Sequence, residues 1–184
     1  MQSLPARLLA AAFALTLALA PAGAAETPKG AAIFTISGAI GQTNRGPFNA
    51  FDDGFLEHHD RSFAKAFAFD RAMLEALPQQ EITAKAEGWA KAYRLKGPLV
   101  ADVLKAVGAE GRTVTFVALD GYATKFTPEE IAQHRWVLAH SADGAPLSIG
   151  GRGPLWMAYD VEGGSASWEE EGRWAWAVFY AEAE

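Results

Sequence analysis

Residues 113–126 read TVTFVALDGYATKF, and the way this stretch folds decides the class of the chain. Thr113 to Leu119 is a run of β-branched, aromatic and aliphatic residues, which predicts a strand. Gly121 supplies a turn. Tyr122 to Phe126 then predicts a strand running back against the first. Directly after it, Thr127-Pro128-Glu129-Glu130 is a capping box with proline at the first helical position, so a short helix starts there. A strand, a turn, a returning strand and a short helix within about twenty residues is an α+β pattern, not a strand–helix repeat with parallel crossovers.

The same grammar holds outward from this hairpin. On the N-terminal side, Ala31 to Ser37 predicts a strand, and Asp70 caps a helix running to Leu77 before Pro78. Glu81 to Ala86 alternates as a strand. Pro98 to Val107 predicts a helix with Leu99, Val103 and Leu104 inward and Gly108 at its end. Gly41 to Lys65 has no clear period and reads as a long surface excursion. On the C-terminal side, Trp136 to His140 and Leu155 to Tyr159 predict strands. Asp143-Gly144 marks a turn, Gly163 to Gly172 an acidic connector, and Trp174 to Tyr180 a last strand with Trp174, Trp176, Val178 and Tyr180 on one face. The expectation is one α+β domain of mixed, mainly antiparallel sheet with short helices.

The first 24 residues stand apart. Arg7 precedes an unbroken apolar run from Leu8 to Ala20, and Ala22-Gly23-Ala24 supplies a small-x-small cleavage pattern. This predicts a secretory signal peptide over 1–24 and a domain over 25–184. Thirteen apolar residues fall short of the roughly 20 that span a bilayer. After cleavage, 15 basic side chains face 22 acidic ones, a net charge of −7. The expected location is the periplasm, with no membrane insertion of the mature chain. An acidic chain of this kind argues against nucleic acid as its main partner.

The full chain has 184 residues and no cysteine. This excludes a disulfide framework, a cysteine-ligated metal centre and a thiol nucleophile. His58-His59-Asp60 lacks the spacing of a metal site and reads as a solvated loop. His134, His140 and Glu169-Glu170-Glu171 read as surface or strand positions, with the glutamates as a solvated face or helix start. Ser37 and Ser148 lie in no nucleophile elbow, and Gly150-Gly151-Arg152-Gly153 lacks the lysine of a phosphate loop. All six tryptophans lie from residue 89 onward: Trp89, Trp136, Trp156, Trp168, Trp174 and Trp176. Indole faces near aspartate and arginine suit a planar heterocycle that stacks and hydrogen-bonds, although core or interface packing is the better account of most of them taken one by one.

From Glu81 onward the order of short motifs resembles the molybdopterin-binding oxidoreductase domain of the sulfite oxidase superfamily. The stretches that carry this are Glu87-Gly88-Trp89, Lys96-Gly97-Pro98-Leu99, Leu119-Asp120-Gly121-Tyr122 and Asp143-Gly144-Ala145-Pro146. Arg152-Gly153-Pro154-Leu155-Trp156 and Trp174-Ala175-Trp176 complete the set. The resemblance implies a sulfite-oxidase-like fold with its site in loops at strand ends. It also implies a pterin ligand, as a reduced pterin or a molybdopterin-like compound. Redox members hold molybdenum through a cysteine that aligns with Lys85 here, so molybdenum is not expected, and neither a catalytic residue nor a metal ligand is assigned. Small cysteine-lacking members look like exported pterin-binding proteins, some partnering the periplasmic part of a membrane sensor. Carried over residue by residue, the expected ligand contacts are Trp89, Asp120, Tyr122, Arg152 and Trp156, with Lys85 and Trp174 beside them. Two alternatives stay open: a molybdenum-cofactor oxidoreductase without a protein thiolate, and a protein-interaction module with a vestigial site.

Overall fold

The computed structural model describes residues 25–161 and 164–184, so the predicted leader lies outside the described residues. In chain order the elements are β1 (Ala32–Gly38), α1 (Gly54–His58), β2 (Ala66–Asp70), α2 (Arg71–Ala76), β3 (Gln79–Ala84), β4 (Tyr93–Pro98) and α3 (Val100–Ala106). They continue with β5 (Val114–Ala118), β6 (Ala123–Phe126), α4 (Pro128–Gln133), β7 (Val137–Ala139), β8 (Ser141–Ala142) and β9 (Ala145–Pro146). β10 (Trp156–Ala158), α5 (Trp168–Gly172) and β11 (Val178–Ala183) complete the chain. Three sheets result, with strand orders β2-β1-β11-β5-β6, β3-β4-β8-β9 and β10-β7. Among the described residues, β1 and β11 are the one pair of named strands that runs in parallel; the other strand pairs are antiparallel. The chain is therefore a sheet-rich α+β domain with few, short helices.

β1 and β11 form the spine. Their inward side chains, Phe34, Ile36, Val178 and Ala181, are buried with residues from β4, β7 and β10 in one main core. Tyr180 faces the other way and joins Leu56 and Val117 in a smaller cluster under α1. Its hydroxyl shares a short, buried hydrogen bond with the Ser37 hydroxyl on the neighbouring strand, so the buried phenol oxygen is satisfied.

The predicted caps hold. Thr127 Oγ1 accepts from Glu130 N–H, and the Glu130 carboxylate accepts from Thr127 N–H at 2.8 Å. Asp70 accepts from Met73 N–H at the start of α2 and from the N–H groups of Lys29 and Gly30. These bonds, led by that from Gly30, hold its carboxyl below the usual carboxylate range.

The structure adds two strands and shortens one. β2 (AFAFD), between the predicted excursion and the Asp70 cap, is a strand in which every residue is buried. Both of its faces are covered, so it has no polar alternation, and the Asn44 side chain closes its outer edge, accepting from Ala68 N–H and donating to Ala68 C=O, at 2.7 and 2.8 Å. β4 is a further strand outside the predicted set. The last strand begins at Val178, not Trp174. Trp174 and Ala175 form a turn at the end of α5, and Ala177 adopts a φ of 55°, which breaks the two-residue period. Trp174 is consequently 1% exposed while Trp176 is 40% exposed.

Gly97 fixes how the sheets approach each other. A Cβ there would lie 2.1 Å from the Leu138 carbonyl oxygen and 2.7 Å from Ala139 Cα. Only glycine lets β4 pass so close to β7.

Candidate functional site

The Glu87-Gly88-Trp89 segment leaves β3 and is clamped by the stretch before α5. Ala166 N–H donates to Lys85 C=O at 2.8 Å, and Glu87 N–H donates to Ala166 C=O at 2.9 Å. Gly88 has a φ of 77°, and the Trp168 indole lies 3.0 Å from the position a Cβ would take. This turn aims Trp89 at the core. Its ring centroid is 5.4 Å from Trp156, 5.9 Å from Trp174 and 5.7 Å from Tyr93.

Arg152 sits on this cluster. Its guanidinium carbon lies 4.5 Å from the Trp156 centroid, 5.3 Å from Trp89 and 6.0 Å from Trp176. The loop that carries it is pinned by Gly151 and Gly153 N–H groups on Ser148 C=O, both at 3.1 Å, and by Ala177 N–H on Arg152 C=O. None of the ion pairs among the described residues uses Arg152. Indole faces, not carboxylates, hold this cation. Beneath it, Trp156 is 1% exposed and its Nε1 has no hydrogen-bond partner; Trp174 Nε1 has none either.

Beside the cluster opens a hollow of about 170 Å³ lined by Asp120, Tyr122, Glu171, Trp174 and Trp176. The β5–β6 turn presents its first two residues. Asp120 Oδ1 accepts from Tyr122 N–H at 3.0 Å, and Gly121 adopts a φ of 88°. Tyr122 Oη donates to Gly172 C=O at 2.7 Å and ties the turn to the end of α5. Trp176 lines the hollow and also lies under Arg152, so it joins the two parts.

Of the residues singled out in the sequence, Asp120, Tyr122 and Trp174 line the hollow. Trp89, Trp156 and Arg152 form the stack next to it. Lys85 is exposed and belongs to neither group; its carbonyl is spent on Ala166. Trp176 was missed as a contact residue, since its proximity to Trp174 read as strand alternation; the Ala177 backbone turns it outward. Among the described residues, no group of three or more His, Asp, Glu or Cys side chains is placed to hold a metal, and no helix is long and apolar enough to cross a membrane.

No protein-family model matches the chain, and no curated protein matches it by sequence. Its fold does have a solved counterpart. It superposes on the crystal structure of the sulfane dehydrogenase SoxCD from Paracoccus pantotrophus with a TM-score of 0.53 and 15% identity, over 82% of this chain. The match spans 37% of that chain's length. At this identity the likeness establishes a distant relationship of fold.

Proposed function

We propose that this protein binds a reduced pterin without transforming it, and that it reports occupancy to a membrane partner after export. The observation that carries the reading is the make-up of one hollow. The Asp120 carboxylate and the Trp174 and Trp176 indoles line a space of about 170 Å³, and Arg152, in no ion pair among the described residues, lies over the Trp176 ring beside it. That is below the roughly 300 Å³ at which drug-sized ligand sites begin, so the hollow suits one small ring system and not a cofactor with a nucleotide tail.

The residues present fit the organic ring. Asp120 Oδ1 serves its own turn, and Oδ2 faces no donor among the described residues. A carboxylate at that position accepts the paired N–H groups of a pyrimidine edge. Trp176 offers an exposed indole face for stacking. The donor set does not fit molybdenum. Carboxylates and indoles border the hollow, and the sequence has no thiol to give a soft anionic ligand. The half-exposed Tyr122 and Trp176 at the rim are the surface on which a partner reads occupancy.

Titration of the purified protein with tetrahydropterin, followed by tryptophan fluorescence and by calorimetry, tests this. Saturable binding well below millimolar is expected, weakened about tenfold or more by Asp120→Asn and by Trp176→Ala. No binding up to about 1 mM, where the free energy is only ~4 kcal/mol, overturns the reading.

A further inference from the structure

α5 contributes Glu171 and Gly172 to the pterin hollow and Glu169 and Glu170 to a different cleft. The first part of that cleft, about 200 Å³, has Phe126, Trp136 and Tyr159 as its aromatic wall. A second part of about 400 Å³ shares His134, Tyr159 and Glu170 and adds Asp160 and Arg135. The His134 ring lies flat on Tyr159, with centroids 3.9 Å apart and 8° between planes; Trp136 stands edge-on to Tyr159 at 4.7 Å.

We infer that this aromatic cleft binds an organic cation, an alkylammonium or guanidinium group. The chain's own Arg173 displays the recognition chemistry at one end. Its guanidinium lies 4.4 Å from the Phe126 centroid and donates to Glu130 at 2.8 Å, an aromatic face combined with a carboxylate. The rest of the cleft has the same ingredients, and its further cation, Arg135, donates to the Gln80 side chain and enters no ion pair among the described residues. Glu169 and Asp160 take part in no ion pair among the described residues. Two carboxylates therefore flank the His134–Tyr159 stack uncompensated.

One carboxylate oxygen in the cleft is weakly engaged. Glu170 Oε1 accepts only from the Tyr159 hydroxyl, at 3.2 Å, a long contact, while Glu170 Oε2 accepts from the Ser167 N–H and hydroxyl at 2.9 Å each. A carboxylate oxygen has two lone pairs, so Oε1 can accept from the N–H groups of a bound cation as well. Protonation states agree with this role. Bonds from Ser167 hold the Glu170 carboxyl below the usual range, and burial pushes the Tyr159 phenol up to about 12, so the carboxyl stays anionic and the phenol neutral. Aromatic walls favour a large, weakly hydrated cation over a compact metal ion.

The test uses the purified chain and three probes: n-butylguanidinium, its neutral analogue n-butylurea, and an acetylated arginine tripeptide amide. Calorimetry is expected to show binding of the guanidinium probe and at least about tenfold weaker binding of the urea. Glu169→Gln combined with Asp160→Asn, at exposed positions, is expected to weaken the cation about tenfold and leave tetrahydropterin binding as in the parent. Asp120→Asn, in the other hollow, is expected to leave cation binding unchanged. Equal affinity for the urea, a double variant within about twofold of the parent, or no binding at about 10 mM overturns the inference. Tighter binding of the tripeptide supports it and identifies a protein-borne cation; tighter binding of butylguanidinium supports it and identifies a free amine.

Discussion

The Arg152 guanidinium rests 4.5 Å above the Trp156 ring, and Trp156 is itself buried. An arginine held by indoles, with no carboxylate partner, is a stacking residue as well as a charge. Arg152→Ala is expected to lower stability by about 1 kcal/mol, and Arg152→Lys to recover only part of that, because an ammonium lacks the planar face. Urea unfolding of the three proteins checks this. An alanine variant that unfolds at the parent's midpoint shows that the stack contributes nothing.

Gly97 is a sharper case. With the Leu138 carbonyl oxygen 2.1 Å from a new Cβ, backbone must move, and backbone in paired strands moves at a cost. Gly97→Ala is expected to destabilise by about 1–3 kcal/mol, lowering Tm by roughly 2–4 °C per kcal/mol for a domain of this size. Gly46, where a Cβ would meet nothing within 4 Å, serves as the control; Gly46→Ala is expected to be neutral or slightly stabilising. Equal Tm values for both variants contradict the close approach of β4 and β7.

Local chemistry in the sequence reached the elements that depend on neighbours in the chain. The Thr127 capping box, the Asp70 cap and the 113–126 hairpin all appear where their residues require them. It failed where tertiary contact overrides local pattern. β2 has no alternation because both of its faces are buried, and its edge is met by Asn44, 24 residues earlier. Trp174 and Trp176 part company because Ala177 takes a positive φ that alanine rarely adopts, held by Ala177 N–H on Arg152 C=O. The site shows the same division. Asp120 and Tyr122 were legible as a strand-end turn on either side of Gly121. The role of Trp176 was not, and neither was the cleft around His134, because its aromatic partner Tyr159 is 25 residues away and its carboxylates come from Asp160 and from α5.

His140 gives a pH test. Gln79 Nε2 donates to the carbonyls of Leu74 and Leu77, so its Oε1 is the acceptor in the 2.8 Å contact with His140 Nε2. The imidazole therefore carries a proton on Nε2. Burial is the main cause that pushes its pKa below the ordinary histidine value, outweighing the carboxylate of Glu75. With the folded pKa depressed, the unfolded chain binds the proton first. The stabilising contribution is full above about pH 6.5 and is lost as pH falls from there through the folded value. Urea midpoints measured from pH 8 to pH 5 should decline for the parent and stay flatter for His140→Gln. Parallel profiles refute the assignment.

The Tyr122 hydroxyl bond to Gly172 separates a stabilising role from a binding role. Tyr122 is 43% exposed, so water replaces the lost partner when the hydroxyl is removed, and Tyr122→Phe is expected to cost no more than about 1 kcal/mol of stability. The same bond sets the distance between the Asp120 turn and the end of α5, the two sides of the hollow. Its loss lets those sides separate while both still fold. The expected result is a nearly unchanged Tm together with several-fold weaker tetrahydropterin binding, read by calorimetry. An affinity equal to the parent's means that the turn holds its position without the bond, and that the width of the hollow is set by the packing of Trp174 alone.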